Sequence, residues 1–232
     1  MIITIDGSAG SGKSTAARKL AARLEIAYLD TGAMYRALGY TGLTRGVDFT
    51  DEAALVAMVR SCRLTLDCGP THTRVQIDGH DVSEALRDPS VSDVTPCVAR
   101  LQPIRDFLVE RQRQIGKKLG SLVTEGRDQG SVVFPYADVK FVLEAELEKR
   151  AERRYQEMTA DGHEVTMASI MKNLSRRDAT DACQWAALLE PGAATIIDTT
   201  HMRLVEVVDE LERIVRSRVS GAAGRVPERR EA

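Results

Sequence analysis

Residues 7–15 read Gly7-Ser8-Ala9-Gly10-Ser11-Gly12-Lys13-Ser14-Thr15. The spacing G-x-x-x-x-G-K-[ST] suits one kind of chemistry, the holding of a crowded polyphosphate such as ATP. Its glycines let the backbone curl so that successive N–H groups point inward at phosphate oxygens. Lys13 adds a compact positive charge for the β- and γ-phosphates, and the Ser14 hydroxyl is a hard oxygen ligand for Mg²⁺. Two more runs carry charge between glycines. In Leu29-Asp30-Thr31-Gly32-Ala33-Met34-Tyr35-Arg36, Arg36 sits one helical turn in, where its planar fork suits a second phosphate. In Val123-Thr124-Glu125-Gly126-Arg127-Asp128-Gln129-Gly130, a cation and an anion stand side by side. A fourth run, Arg176-Arg177-Asp178 with Asp181 and Gln184, spaces residues four and seven apart from Arg177. That spacing gives one face if the segment is helical. The third run also suits a surface ion pair, and the fourth a solvated helix face. Company with a phosphate loop favours a substrate site.

These runs need strands and helices to bring them together. Ile2–Asp6 is a short apolar, β-branched run, as a buried parallel strand should be, and Ala27–Leu29, Leu122–Thr124, Val139–Leu143 and Thr195–Ile197 read as the other core strands. Helix-forming stretches alternate with them at 13–24, 33–44, 104–118, 146–159 and 204–216. The phosphate loop thus lies between a strand and a helix N-terminus, where the helix dipole favours an anion. The Thr31 and Arg127 runs follow strands too, at the sheet edge where open α/β sheets bind ligands. One segment breaks the rhythm. Arg63–Asp67, Arg74–Ile77 and His80–Val82 are strand-like runs separated by Gly-Pro and Asp-Gly turns, which reads as a small antiparallel insert serving as a substrate lobe. The polar stretch Asp161–Leu189 reads as irregular. Beyond Ser217 the chain has little apolar content and reads as a frayed tail.

Composition excludes several classes. A formal charge of −2 gives no general attraction to nucleic acid or to an anionic membrane. Cys62, Cys68, Cys97 and Cys183 form no C-x-x-C pair, against both a zinc site and a secreted disulfide framework. No apolar stretch reaches membrane-spanning length. The expectation is a cytoplasmic protein, a monomer without nucleic-acid or membrane partners. His72, His80, His163 and His201 read as surface residues, and Arg150, Arg153 and Arg154 as a solvated helix face with lid contacts.

The motifs GSAGSGKST (7–15), LDTGAMYR (29–36), DVSEALR (81–87), EGRDQGSVVFP (125–135) and RRDATD (176–181) closely resemble those of the bacterial cytidylate kinases. The resemblance runs from Ile2 to about Thr200. It implies an α/β P-loop kinase fold: a parallel five-stranded sheet flanked by helices, an antiparallel sheet insert in a monophosphate-binding lobe, and a mobile lid. A single domain would cover 1–217, with core 1–35, 103–154 and 190–217, lobe about 36–102, lid about 155–189, and tail 218–232. The implied activity is transfer of the γ-phosphoryl of ATP, with Mg²⁺, to CMP or dCMP. By the same resemblance Gly7 to Thr15 bind ATP, and Lys13, Arg36, Arg127 and Arg177 serve catalysis. Thr31, Arg36 and Arg127 hold the acceptor phosphate. Arg105 and Asp128 read the base, Arg177 and Asp181 contact the ribose, and Ser14 meets the metal.

Two positions depart from the family pattern. Pro96 stands where the family has a serine that contacts the cytosine amino group, with Thr95 as the neighbouring hydroxyl. Gln184 stands where the lid has an arginine. If Gln184 faces the transferring phosphoryl group, Gln184→Arg should raise kcat, unless Arg154 or Arg176 already fills the place. Two other readings stay open: a P-loop kinase of another small acceptor, and a nucleotide-binding regulatory protein with an impaired lid.

Overall fold

The five apolar runs form one parallel sheet, and each strand extends one residue beyond the stretch that the pattern marks. They are β1 (Ile2–Gly7), β2 (Ala27–Asp30), β6 (Leu122–Glu125), β7 (Val139–Glu144) and β8 (Thr195–Asp198), in the order β2-β6-β1-β7-β8. A computed structural model provides these coordinates and describes residues 1–160, 162 and 164–223. In-register pairing of Ile3 with Val123 and with Val139 puts β1 at the centre. The turns after β1, β2 and β6 therefore emerge at one edge, side by side.

Helices cover both faces. On one face α1 (Lys13–Leu24) and α8 (Leu204–Ala223) pack Leu20, Val208 and Leu211 against Ile3, Ile5 and Phe141. On the other, α2 (Thr31–Thr44), α3 (Glu52–Ser61), α4 (Pro89–Ala99) and α5 (Gln102–Leu119) enclose Leu29, Met34, Leu38, Leu55, Ile104 and Leu108. Asp30 and Asp51 cap α2 and α3 by accepting from Ala33 N and Ala54 N, each satisfying an orphan donor of the first turn. The insert is a three-stranded antiparallel sheet of β3 (Leu64–Cys68), β4 (Thr73–Ile77) and β5 (His80–Asp81). Val75 and Ile77 anchor it in the same core as α2.

The stretch expected to be irregular is ordered differently. Most of it is a 19-residue helix, α7 (Met167–Trp185), that lies against α6 (Leu147–Ala160). Ile170 and Leu174 pack onto Ala9 and Ala151, and Thr166 caps the helix through Ser169 N. Few apolar residues were needed, so the periodic signal was weak. Asp161 and His163 lie outside the described residues. Helix α8 continues through 218–223, the first part of the expected tail, and 224–232 lie outside the described residues.

Candidate active site

The phosphate loop connects β1 to α1. Gly7 has φ +129°, and a Cβ there would meet the carbonyl oxygen of Leu143 on β7. Gly12 has φ +91° with open space around it. The first glycine is required by strand packing and the second by backbone conformation alone. Lys13 is buried, and its Nζ donates to the Ser8 carbonyl at 2.6 Å. Burial, followed by the charge of Arg127, pulls its amine well below the usual lysine range, while Glu125 and Asp6 act the other way. Arg177 also lowers it, so Lys13, Arg127 and Arg177 share one cationic neighbourhood. Such a cluster is costly until an anion arrives.

Ser14 Oγ donates to Glu125 Oε1 at 3.0 Å. Burial, then the negative charge of Asp30, raises the Glu125 carboxyl. Hydroxyl and carboxylate oxygens are the hard donors Mg²⁺ takes, and two of them leave room for phosphate oxygens and water. Among the described residues no group of three or more His, Cys, Asp or Glu forms a metal cage. The donor set fits a metal that travels with a nucleotide.

Across the cleft, the first turn of α2 and the turn after β6 bring charged pairs together. Thr31 Oγ1 donates to the Glu125 carbonyl at 2.7 Å, which ties α2 to β6. Arg36 Nη2 bonds Asp30 Oδ2 at 3.0 Å. Arg105, on α5, donates from Nη2 to Asp128 Oδ2 at 2.5 Å, with Asp128 only 9% exposed at its side chain. Arg127 Nε bonds Asp181 Oδ2 at 2.9 Å, linking the β6 turn to α7. Segment 176–184 is thus helical, and Asp181 and Gln184 both face the site residues.

Gln184 lies beside Arg105: its Oε1 accepts from Arg105 Nη2 at 3.4 Å. The near neighbour of Gln184 is thus Arg105, the residue expected to read the base. Arg154, by contrast, is close enough to Arg177 to lower its pKa. Pro96 is exposed inside α4, and Thr95 Oγ1 is committed to the Val91 carbonyl at 2.6 Å.

Four residues not singled out as site residues in the sequence also join the site. Asp6 is fully buried at the end of β1, and its two oxygens accept from Gln129 N and Gly130 N, both at 2.8 Å. Burial raises its carboxyl to about 6, against the two backbone N–H groups, which lower it. Gln129 Nε2 donates to Gln112 Oε1 at 3.0 Å and reaches Asp128 Oδ1 at 3.3 Å. Residues 129–133 form a π-helical turn, a geometry frequent at functional sites. Tyr35 is pushed up to about 12, by burial and then by Asp128, which places its phenol near the Arg105–Asp128 pair. Arg150 makes the expected contact with the lid region, through Asp178 on α7, but corrects the expectation of a solvated face. It is buried rather than solvated, donates to the carbonyls of Ala9 and Ala145, and holds Asp178 bidentately at 3.0 and 2.7 Å. It joins the phosphate loop to α7. A sequence signal existed in the i, i+3 and i, i+4 arginines of α6, but nothing in them distinguished the buried one.

The chain matches a family model, "Cytidylate kinase", over residues 3–217. It is 40% identical over 221 residues to a cytidylate kinase of Nocardia farcinica, covering 95% of each chain. It is 41% identical over 215 residues to one of Symbiobacterium thermophilum, covering 92% of this chain and 95% of the relative. A solved structure of an uncharacterized protein from Eubacterium ventriosum shares the fold, with a TM-score of 0.54, 13% identity, and coverage of 94% and 98%. With a phosphate loop facing paired arginines across one sheet edge, and a family match along nearly its whole length, the chain belongs to the cytidylate kinase family.

Proposed function

We infer that this protein transfers the γ-phosphoryl group of ATP to CMP or dCMP, releasing ADP and CDP or dCDP. The observation that carries the reading is the pairing of Arg105 with the buried Asp128, together with the Lys13 phosphate loop, in a chain of this family. Phosphoryl transfer asks little covalent chemistry of a protein; it asks that two anions be aligned, neutralised and kept dry. Gly7 to Thr15 cradle the ATP phosphates, with Lys13 at the β- and γ-phosphates. Thr31, Arg36 and Arg127 take the acceptor phosphate, Thr31 by turning its hydroxyl from the Glu125 carbonyl. Arg177 bridges donor and acceptor charge, and with Asp181 it borders the ribose. Helix α7 closes over the pair and excludes water. Mg²⁺, when bound with ATP, offsets phosphate charge, and Ser14 with Glu125 beside it would hold it. Asp128 accepts from the exocyclic amino group of cytosine while Arg105 donates to one of the neighbouring acceptors. Uracil places a carbonyl opposite the carboxylate, and an unpaired buried group costs about 1–3 kcal/mol.

No helix among the described residues is long and apolar enough to cross a membrane. The absence of disulfides among the described cysteines and the small-molecule substrates are in keeping with a cytoplasmic enzyme, which we take to act as a monomer. A coupled ADP-release assay with CMP, dCMP, UMP, AMP and GMP as acceptors tests the reading. CMP and dCMP should give the highest kcat/KM, and a purine in first place would overturn it.

A further inference from the structure

Gln184 lies in the last turn of α7, and its Oε1 shares Arg105 Nη2 with Asp128. The backbone there is fixed. Ser131 Oγ donates to the Gln184 carbonyl at 2.7 Å, and the next residue, Trp185, is buried with Val142 and Leu188. The helix therefore ends as a clasp on the β6 turn, and the side chain at 184 is delivered to the Arg105–Asp128 pair. Arg177, two turns earlier, lies instead in the electrostatic neighbourhood of Lys13 and Arg127. One helix serves phosphate at one point and the neighbourhood of the base at another.

A carboxamide both accepts and donates, whereas a guanidinium only donates. The oxygen of Gln184 must therefore be the end that faces Arg105, which leaves its NH₂ as a donor directed away from Arg105. On α4 the Thr95 hydroxyl spends its O–H on its own helix and so can only accept, and the Pro96 side chain offers no polar atom. We propose that Gln184 is a base-reading residue: its NH₂ donates to a ring acceptor of cytosine, completing a recognition unit with Arg105 and Asp128. The inference rests on the CMP kinase reading above. It makes closure of α7 depend on the base, because the reading group is carried by the closing helix. An arginine at 184 would set a second guanidinium against Arg105 and lose the acceptor that holds it.

The test is steady-state kinetics with CMP and with UMP at saturating ATP, on the wild type and on Gln184→Leu, Gln184→Glu and Gln184→Arg. Thermal denaturation verifies that each variant folds. Gln184→Leu should raise KM for CMP about 5- to 100-fold, as expected for a lost hydrogen bond in a closed site, with kcat changed less than about threefold. Gln184→Glu should narrow the CMP-to-UMP ratio further than Gln184→Leu, because a carboxylate accepts from the ring N–H that only uracil carries. Gln184→Arg should bring no gain in kcat. An unchanged KM for CMP with an unchanged CMP-to-UMP ratio overturns the proposal. So does a fall in kcat at constant base ratio, which would move Gln184 to the phosphoryl group. A wild type that prefers CMP while the variants keep its ratio defeats only the Gln184 assignment. A wild type inactive on every nucleoside monophosphate defeats the functional reading itself, before any variant is made.

Discussion

At the phosphate loop, Lys13 donates to the Ser8 backbone carbonyl, and no carboxylate lies within ion-pair distance of it among the described residues. Across the cleft, Arg36, Arg105 and Arg127 are each paired with an aspartate, Asp30, Asp128 and Asp181. On the function proposed above, the donor half is made of backbone N–H groups that strand and helix geometry fixes in advance, and the acceptor half of side-chain pairs that must share their partners with a ligand. A preformed backbone site tolerates changes around it but hangs on one cation. A site of exchangeable pairs spreads its energy and is open to tuning by single substitutions.

The harshest test of that contrast is Lys13→Ala. Turnover should fall by about 10³-fold, the size of effect seen when a lone charge-stabilising donor is removed. Thermal denaturation should move little, since the side chain touches the loop and not the apolar core. Near-normal turnover in the ADP-release assay would erase the distinction between the halves.

Asp6 sharpens the contrast because it belongs to both. It ends the strand that carries the phosphate loop, and its oxygens hold the turn that carries Asp128. Its carboxyl is raised from 3.8 to about 6, chiefly by burial. The native state then holds a proton that the unfolded chain releases, so this group's contribution to stability falls as pH rises from about 4 to 6. The cost is complete above that range. It amounts to roughly 3 kcal/mol at 1.36 kcal/mol per unit. Urea denaturation of the wild type and of Asp6→Asn at intervals between pH 4.5 and 7.5 reads it directly. The stability of the wild type relative to Asp6→Asn should decline with pH; a flat difference would mean that Asp6 is ionised throughout.

Asp128→Ala is the mildest of the three. Losing the acceptor for the cytosine amino group, and leaving Arg105 without its main partner, should cost about 1–3 kcal/mol in kcat/KM for CMP. The rate with UMP should drop less. Equal losses for both bases, measured in parallel, would show that the pair only braces the site.

The sheet was legible because its strands are short apolar runs, buried almost throughout in the central β1 and β6, and the phosphate loop because its spacing is tied to a single geometry. Helices α3 and α4 were not marked out. In α4, Pro96 reads as a helix breaker, yet it sits on the exposed side, where the Ser92 carbonyl it leaves unpaired is open to water. Helix α7 was hidden because its apolar contacts are few, Ile170 and Leu174 near one end and Trp185 at the other, while the face between them is carried by Arg177, Asp181 and Gln184. Asp6 and Arg150 were illegible for another reason. Their partners are backbone groups and an aspartate far along the chain, and local spacing holds no trace of such contacts.

The close approach of Gly7 to Leu143 separates two histories inside one nine-residue motif. A side chain at 7 would be driven into β7 before any nucleotide came near, whereas one at 12 would meet only open space and an unfavourable torsion. In a saturation library sorted solely for soluble, folded protein, position 7 should already be purged to glycine. Position 12 should still carry survivors at that stage, residues such as asparagine that accept left-handed backbone, and lose them only once the sort is for phosphoryl transfer.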